Sequence, residues 1–157
     1  MKLRFLCANH RGELESNVSK AIQFWQTGFE TGQYYCDHML WSDALPHLGC
    51  AFEVAEILFS KKMIEPEVAC DWFSRSALLL ASTFANGYYS AQAEEVTWMA
   101  INKLEQNLPQ QGNNREWINR YLCDQYRQLN HLLTSNKQRR KSATTTQSHS
   151  ESAMIIH

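Results

Sequence analysis

From Gly12 onward, apolar or small residues recur at every third or fourth position: Leu14, Val18, Ile22, Trp25, Phe29, Gly32 and Tyr35. That is the period at which an α-helix returns to one face, so one amphipathic helix is predicted over about Glu13 to Cys36. A second stripe follows in Leu45, Leu48, Phe52, Ala55 and Leu58 or Phe59. Ser42 reads as its N-cap, Asp43 favours the helix dipole, and Pro46 is expected in the first turn, where a missing N–H matters little. Lys61 and Lys62 complement the dipole at the far end, before Glu65-Pro66.

Pro66 suits the first position of a third helix, running through Val68, Trp72, Phe73, Leu79, Leu80, Thr83 and Phe84 to Asn86-Gly87. Its segment Ala77-Leu78-Leu79-Leu80-Ala81 is apolar on every side, which places this helix between neighbours at the centre of the domain. Ser90 is read as the cap of a fourth helix, with Ala93, Val96, Ala100 and Leu104 on its inner side, ended by Leu108-Pro109 and the loop Gln110-Gln111-Gly112-Asn113. A fifth, capping helix starts near Asn114 and carries Trp117, Ile118, Tyr121, Leu122, Tyr126, Leu129, Leu132 and Leu133. Periodicity is lost from Ser135. The expected organisation is an N-terminal arm (1–12), a helical domain (13–134) and a disordered tail (135–157), basic and then Ser/Thr-rich, whose few apolar groups do not offset the ordering entropy. The fold class is all-α, a five-helix antiparallel hairpin stack.

Two glycines stand inside the first predicted helix. Gly28 and Gly32 each cost roughly 1 kcal/mol against Ala in a helix interior, so their use there points to close helix approach. Gly32, Tyr35, Ala44, Leu48 and Ala51 occupy the small, aromatic, small, large and small slots of a tetratricopeptide repeat, and the first two helices resemble one such unit. Ala81, Phe84, Ala93 and Ala100 echo it in the next hairpin, with Thr97 in the slot for a large residue. The units lie 49 residues apart where the family has 34, the usual Pro after each second helix is missing at the expected place, and no third unit is visible. The resemblance covers residues 16–106.

What that resemblance implies is a binding scaffold in which the first helix of each unit faces a protein or peptide. It assigns Gln26, Phe29, Gln33 and Asp37 from the first unit and Arg75, Leu78, Ser82 and Asn86 from the second to that face. The polar members, Gln26, Gln33, Asp37, Arg75, Ser82 and Asn86, are the predicted partner-binding set. Phe29 and Leu78 also read as core residues. The expected function is that of a non-catalytic adaptor or chaperone-like module, with no cofactor and another protein as partner.

Composition narrows the rivals. With 44% hydrophobic residues but only six Gly and three Pro, the chain supports long helices around a substantial core. No apolar run approaches the roughly twenty residues of a membrane span, and the start is too quickly polar for a secretory signal. The five cysteines are odd in number and scattered, which argues for reduced thiols and a cytoplasmic location. Cys7-x2-His10, Cys36-x-His38 and His47-x2-Cys50 offer donors for zinc, yet no paired CxxC appears, and buried thiols with half-exposed imidazoles are the competing reading. No phosphate loop, GxSxG or HExxH occurs; Glu53-x2-Glu56 and Glu94-Glu95 have the look of paired carboxylates, but no Glu-x2-His pair accompanies them, and Glu56 and Glu94 read as solvated helix faces. Nucleic acid is the alternative partner. Arg139-Arg140-Lys141 gives the tail a basic cluster that could meet phosphates, while the first 134 residues are mildly acidic, with eleven Lys/Arg against fifteen Asp/Glu.

Overall fold

The computed structural model describes residues 3–108 and 115–152, and the side chains of all of these except 115 and 145–152. Pro109 and the predicted loop Gln110 to Asn113 therefore lie outside the described residues. Among the described residues six helices form a stack: α1 (Ala8–Ser16), α2 (Val18–Asp37), α3 (Trp41–Ser60), α4 (Pro66–Asn86), α5 (Ser90–Asn107) and α6 (Arg115–Ser152). The all-α class is as predicted, but the count is six, because the first predicted helix divides. Asn17 adopts extended backbone (φ −135°, ψ 95°), and its side chain accepts a hydrogen bond from the Lys20 N–H at 3.0 Å. This ends α1 and caps α2 with the Asx chemistry that competes with helix continuation. The break also shifts the phase of the stripe, so that Ala21 is buried while Val18 at the start of α2 is exposed.

Neighbours in sequence are neighbours in space. α2 packs on α3, α3 on α4, α4 on α5 and α5 on α6, while α4 also touches α2 and α6. α2, α4 and α6 thus lie side by side in one layer, with α3 and α5 behind them. Trp25, Phe52, Phe59, Phe73, Leu80, Ile101 and Ile118 belong to one continuous buried core. Close approach in the first hairpin depends on small residues. A Cβ on Gly32 would stand 2.4 Å from Leu48 Cγ, one on Gly28 would lie 3.2 Å from the His47 carbonyl oxygen, and Ala44 and Ala51 are fully buried opposite.

Three turns share one geometry. In each, a residue just past the helix takes a left-handed conformation: Met39 (φ 57°), Lys62 (φ 52°) and Tyr88 (φ 68°). Behind each, two backbone bonds close the helix end: Leu40 N–H to Tyr35 O (2.9 Å) with Met39 N–H to Cys36 O (2.9 Å), Met63 to Leu58 (3.1 Å) with Lys62 to Phe59 (3.3 Å), and Tyr89 to Phe84 (2.8 Å) with Tyr88 to Ala85 (3.2 Å). These satisfy carbonyls that would otherwise be orphaned. Gly87 is not the left-handed residue; its φ is −80° and Tyr88 takes that role.

Helix starts differ from expectation by a residue or two. Leu40 and Tyr89 occupy the cap positions of α3 and α5 without side-chain bonds, leaving Ser42 and Ser90 inside the helices. Pro46 is the sixth residue of α3, beyond the first turn, and so removes one intrahelical bond. Pro66 does open α4, where Glu65 caps the Val68 N–H at 3.0 Å. α6 runs on to Ser152, past the Ser135 boundary at which the sequence loses its period. Asn136 donates to Glu94 of α5 at 2.5 Å, and the Arg139 guanidinium lies over the Tyr88 ring, 5.4 Å from its centroid, so polar ties continue where apolar ones stop.

Candidate functional site

The exposed side of the α2–α4–α6 layer is the face that the repeat resemblance picks out. Its floor is aromatic. The Trp25 and Trp72 rings stack at 4.0 Å between α2 and α4, Phe29 stacks on Trp25 at 5.2 Å, and the Trp25 indole N–H donates to Ser76 Oγ at 2.9 Å. Around the stack runs a polar chain. Arg75 lies 5.0 Å from the Phe29 ring centre and 3.5 Å from Asp71, whose other oxygen accepts from the Tyr121 hydroxyl of α6 at 3.2 Å. Burial, together with the Asp71 carboxylate, raises the Tyr121 phenol above its ordinary value, though a bond to Arg120 opposes the shift. Arg120 in turn reaches Glu67 at 3.7 Å. Deeper, the Gln125 amide donates to the Ser74 carbonyl and hydroxyl at 3.1 and 2.9 Å, joining α6 to α4.

The predicted partner-binding residues divide into two groups on this layer. Gln26, Gln33 and Asp37 on α2 and Asn86 on α4 are exposed and form no side-chain hydrogen bond or ion pair within the described residues. Arg75 is exposed but engaged by Asp71 and Phe29, and Ser82 is half-buried with its hydroxyl bonded to the Leu79 carbonyl at 3.0 Å. Phe29 is core, only 7% exposed, and Leu78 is half-buried.

The opposite layer carries a second feature that the sequence did not signal. The extended N-terminal arm lies on α3, where the buried Glu53 carboxylate accepts the Phe5 N–H at 2.5 Å and the Leu6 N–H at 3.2 Å, with Arg11 at 3.8 Å. Phe5 sits where Gly49 has no side chain: a Cβ there would come within 2.1 Å of the ring. The depression beside the arm, 350 Å³, is bordered by Arg4, Arg11, Glu15, Glu53, Glu56 and Met99. Its carboxylates are all partnered, Glu15 by Arg11 at 3.3 Å and Glu56 by Lys103 of α5 at 3.3 Å. Glu56, read from sequence as a solvated face, is instead a link between elements, as is Glu53. Glu94, likewise, receives the Asn136 amide. Nothing in an i, i+3 carboxylate pair distinguishes a solvated face from one that a distant arm will cover.

Of the Cys/His pairs, Cys7 and His10 meet each other, while Cys36, His38 and His47 have other partners. Cys7 Sγ lies 3.3 Å from His10 Nδ1, Cys36 bonds Thr83 Oγ1 across α2 and α4 at 3.1 Å, His38 bonds the Tyr34 carbonyl oxygen at 2.8 Å, and His47 stacks on Tyr35 at 5.5 Å. Among the described residues no three His, Cys, Asp or Glu side chains converge to hold a metal ion. Burial raises the thiols of Cys36 and Cys50, and pushes that of Cys70 up to about 12, where Asp71 and Glu67 add to the effect. These thiols stay protonated at neutral pH, which suits packing and disfavours nucleophilic use.

No helix among the described residues is long and apolar enough to cross a membrane. Comparison with protein-family models, with curated proteins and with solved structures finds no match for this chain.

Proposed function

We propose that the chain is a non-catalytic scaffold of tetratricopeptide-like hairpins that binds another protein or peptide across its α2–α4–α6 face. The observation that carries this reading is a row of exposed, unpartnered polar side chains, Gln26, Gln33, Asp37 and Asn86, set on a rigid floor of stacked Trp25, Trp72 and Phe29. Helices presenting free hydrogen-bonding groups over a packed aromatic core are the usual makings of a peptide-binding face.

The repeat-like reading is supported by the turns. Met39 and Tyr88, the left-handed residues of the α2–α3 and α4–α5 hairpins, stand at the same 49-residue offset as the pairs Gly32/Ala81, Tyr35/Phe84, Ala44/Ala93 and Ala51/Ala100. Two hairpins with equivalent packing positions and equivalent closures are two copies of one structural unit in the physical sense, each burying its stripe on the next. A non-catalytic role is supported by the state of the acids: the carboxylates beside the N-terminal arm are tied to backbone N–H groups or to basic side chains, leaving no free acid–base pair there.

The test is affinity capture with the full chain from the native cell, followed by binding assays with the captured protein. Gln26→Ala, Gln33→Ala and Asn86→Ala together should weaken that binding at least tenfold with the helical spectrum unchanged. Arg75→Ala, by contrast, should lower stability by about 0.5–1 kcal/mol through loss of the Phe29 contact, with little effect on affinity. Retention of every partner by the triple variant overturns the assignment of this face.

A further inference from the structure

The ends of the first and second hairpins meet at one pole of the stack, and the surface there is apolar. Met39, Leu40, Trp41, Asn86 and Tyr88 border an open depression of 430 Å³ between the α2–α3 and α4–α5 turns. Tyr88 is 83% exposed, Met39 73%, Tyr34 58%, Tyr89 47% and Leu40 45%. At roughly 200 Å² for a large side chain, these five expose about 600 Å². That is the upper end of the largest patch on an ordinary monomer, so the patch calls for an occupant.

Two of the three left-handed turns lie at the same place, the third being that of Lys62 between α3 and α4. Met39 and Tyr88 are the left-handed residues of their turns, a conformation that costs a non-glycine residue roughly 1–2 kcal/mol. Glycine would close either turn with less strain. Instead, each of these positions projects a large apolar side chain into solvent, at the expense of the isolated fold.

Charge selects the occupant. On the α2–α3 side of the patch stand Asp37, at the end of α2, and Asp43, which borders the depression. On the other side, beyond Tyr88, stand Arg139 and Arg140 of α6, bordering a second depression with Ser90, Ala91 and Glu94; the Glu94 carboxylate accepts the Asn136 amide, and two guanidiniums against this one carboxylate leave the edge net basic. Among the described residues neither pair of like charges forms an ion pair. The pole therefore reads acidic, apolar, basic from one edge to the other.

From this arrangement we infer that the pole is the contact surface of a homodimer, with a second copy of the chain as its occupant. A two-fold axis through the Met39–Tyr88 centre brings the acidic edge of each copy over the basic edge of the other, and the apolar centre over itself. This is the self-complementarity that an isologous interface requires. Adding the polar rim of His38, Ser42 and Asn86 brings the buried surface toward the roughly 800 Å² per partner of a stable association. Asp37 and Asn86, at the end of the α2–α4–α6 face, would be covered in such a dimer while Gln26 and Gln33 stay open, so Gln26→Ala with Gln33→Ala tests the binding face without touching the pole.

Sedimentation equilibrium of the full chain across a wide concentration range tests this. The expected result is a monomer–dimer equilibrium that weakens with added salt. Met39→Gly with Tyr88→Gly should raise the dissociation constant at least tenfold while leaving the monomer folded and its thermal midpoint equal or higher, because the strain is relieved. Asp43→Arg and Arg139→Asp should each weaken the dimer, and the two together should restore it. A chain that stays monomeric at the highest concentrations overturns the inference and leaves the patch to a different protein. A dimer indifferent to the two glycine substitutions, or a charge reversal that is not rescued, overturns it equally.

Discussion

Replacing Gly32 with Ala probes whether close helix approach, rather than any special backbone need, explains a glycine in the middle of α2. The added Cβ would stand 2.4 Å from both Cγ and Cδ2 of Leu48, a side chain with no exposed surface in which to retreat. Overpacking of this kind costs about 1–3 kcal/mol. Alanine also relieves roughly 1 kcal/mol of poor helix propensity, so the net loss is about 0–2 kcal/mol. Two companions make the measurement decisive. Gly12 in α1 has nothing within 4 Å of its would-be Cβ, so Gly12→Ala should stabilise by about 0.5–1 kcal/mol from propensity alone. Leu48→Ala should cost about 2–5 kcal/mol on its own, but in that background Gly32→Ala meets no clash and becomes stabilising. The resulting coupling between the two sites is about 1–3 kcal/mol, well above the roughly 0.5 kcal/mol within which independent sites add. Urea unfolding, followed by helical circular dichroism and tryptophan fluorescence, gives all four corners of the cycle. If Gly32→Ala stabilises the chain as Gly12→Ala does, and the cycle shows no coupling, the close-packing argument for the first hairpin is wrong.

Glu53→Ala should release the N-terminal arm, since its carboxylate holds the Phe5 and Leu6 N–H groups; the expected loss is about 1–3 kcal/mol, with hydrogen exchange at those two amides accelerated and Glu53→Gln milder in both respects. Unchanged exchange in Glu53→Ala would show that Phe5 packing alone fixes the arm. Cys70 holds its proton in the folded state up to about 12, against an ordinary thiol value of 9.0. Its contribution is therefore complete below pH 9 and is lost as the pH rises from there toward 12, because only the unfolded chain releases the proton early. The stability loss across that window should shrink in Cys70→Ala, and in the parent chain Cys70 should resist alkylation until unfolding while the exposed Cys7 and Cys123 react. Prompt labelling of Cys70 in folded protein would contradict its burial.

Helical periodicity located the main body of α2 to α5 and the first half of α6, because one stripe per helix must be buried and the sequence carries that stripe openly. Pro66 was legible as a start for the same local reason, and the small residues from Gly32 to Ala51 were legible as a site of close contact. The division at Asn17 was signalled only by an Asx residue within an otherwise continuous stripe, and the periodicity around it outweighed that cue. None of the left-handed residues Met39, Lys62 and Tyr88 is itself a glycine or asparagine, and Asn86-Gly87 marked the end of α4 without marking Tyr88 as the left-handed position.

Other features depended on contacts between residues distant in the chain. Trp25 and Trp72 meet 47 positions apart, Glu53 receives an arm from 47 and 48 positions away, and Asn136 reaches Glu94 across 42. Local sequence sets which face of a helix is apolar, since that follows from a period of 3.6 residues. It does not set which polar groups on the opposite face find partners, since those pairings arise only when the helices are stacked. Gln26, Gln33, Asp37 and Asn86 were distinguished from Arg75 and Ser82 in that way. The acidic, apolar and basic order at the pole likewise exists only after two turns and the far part of α6 have been brought side by side.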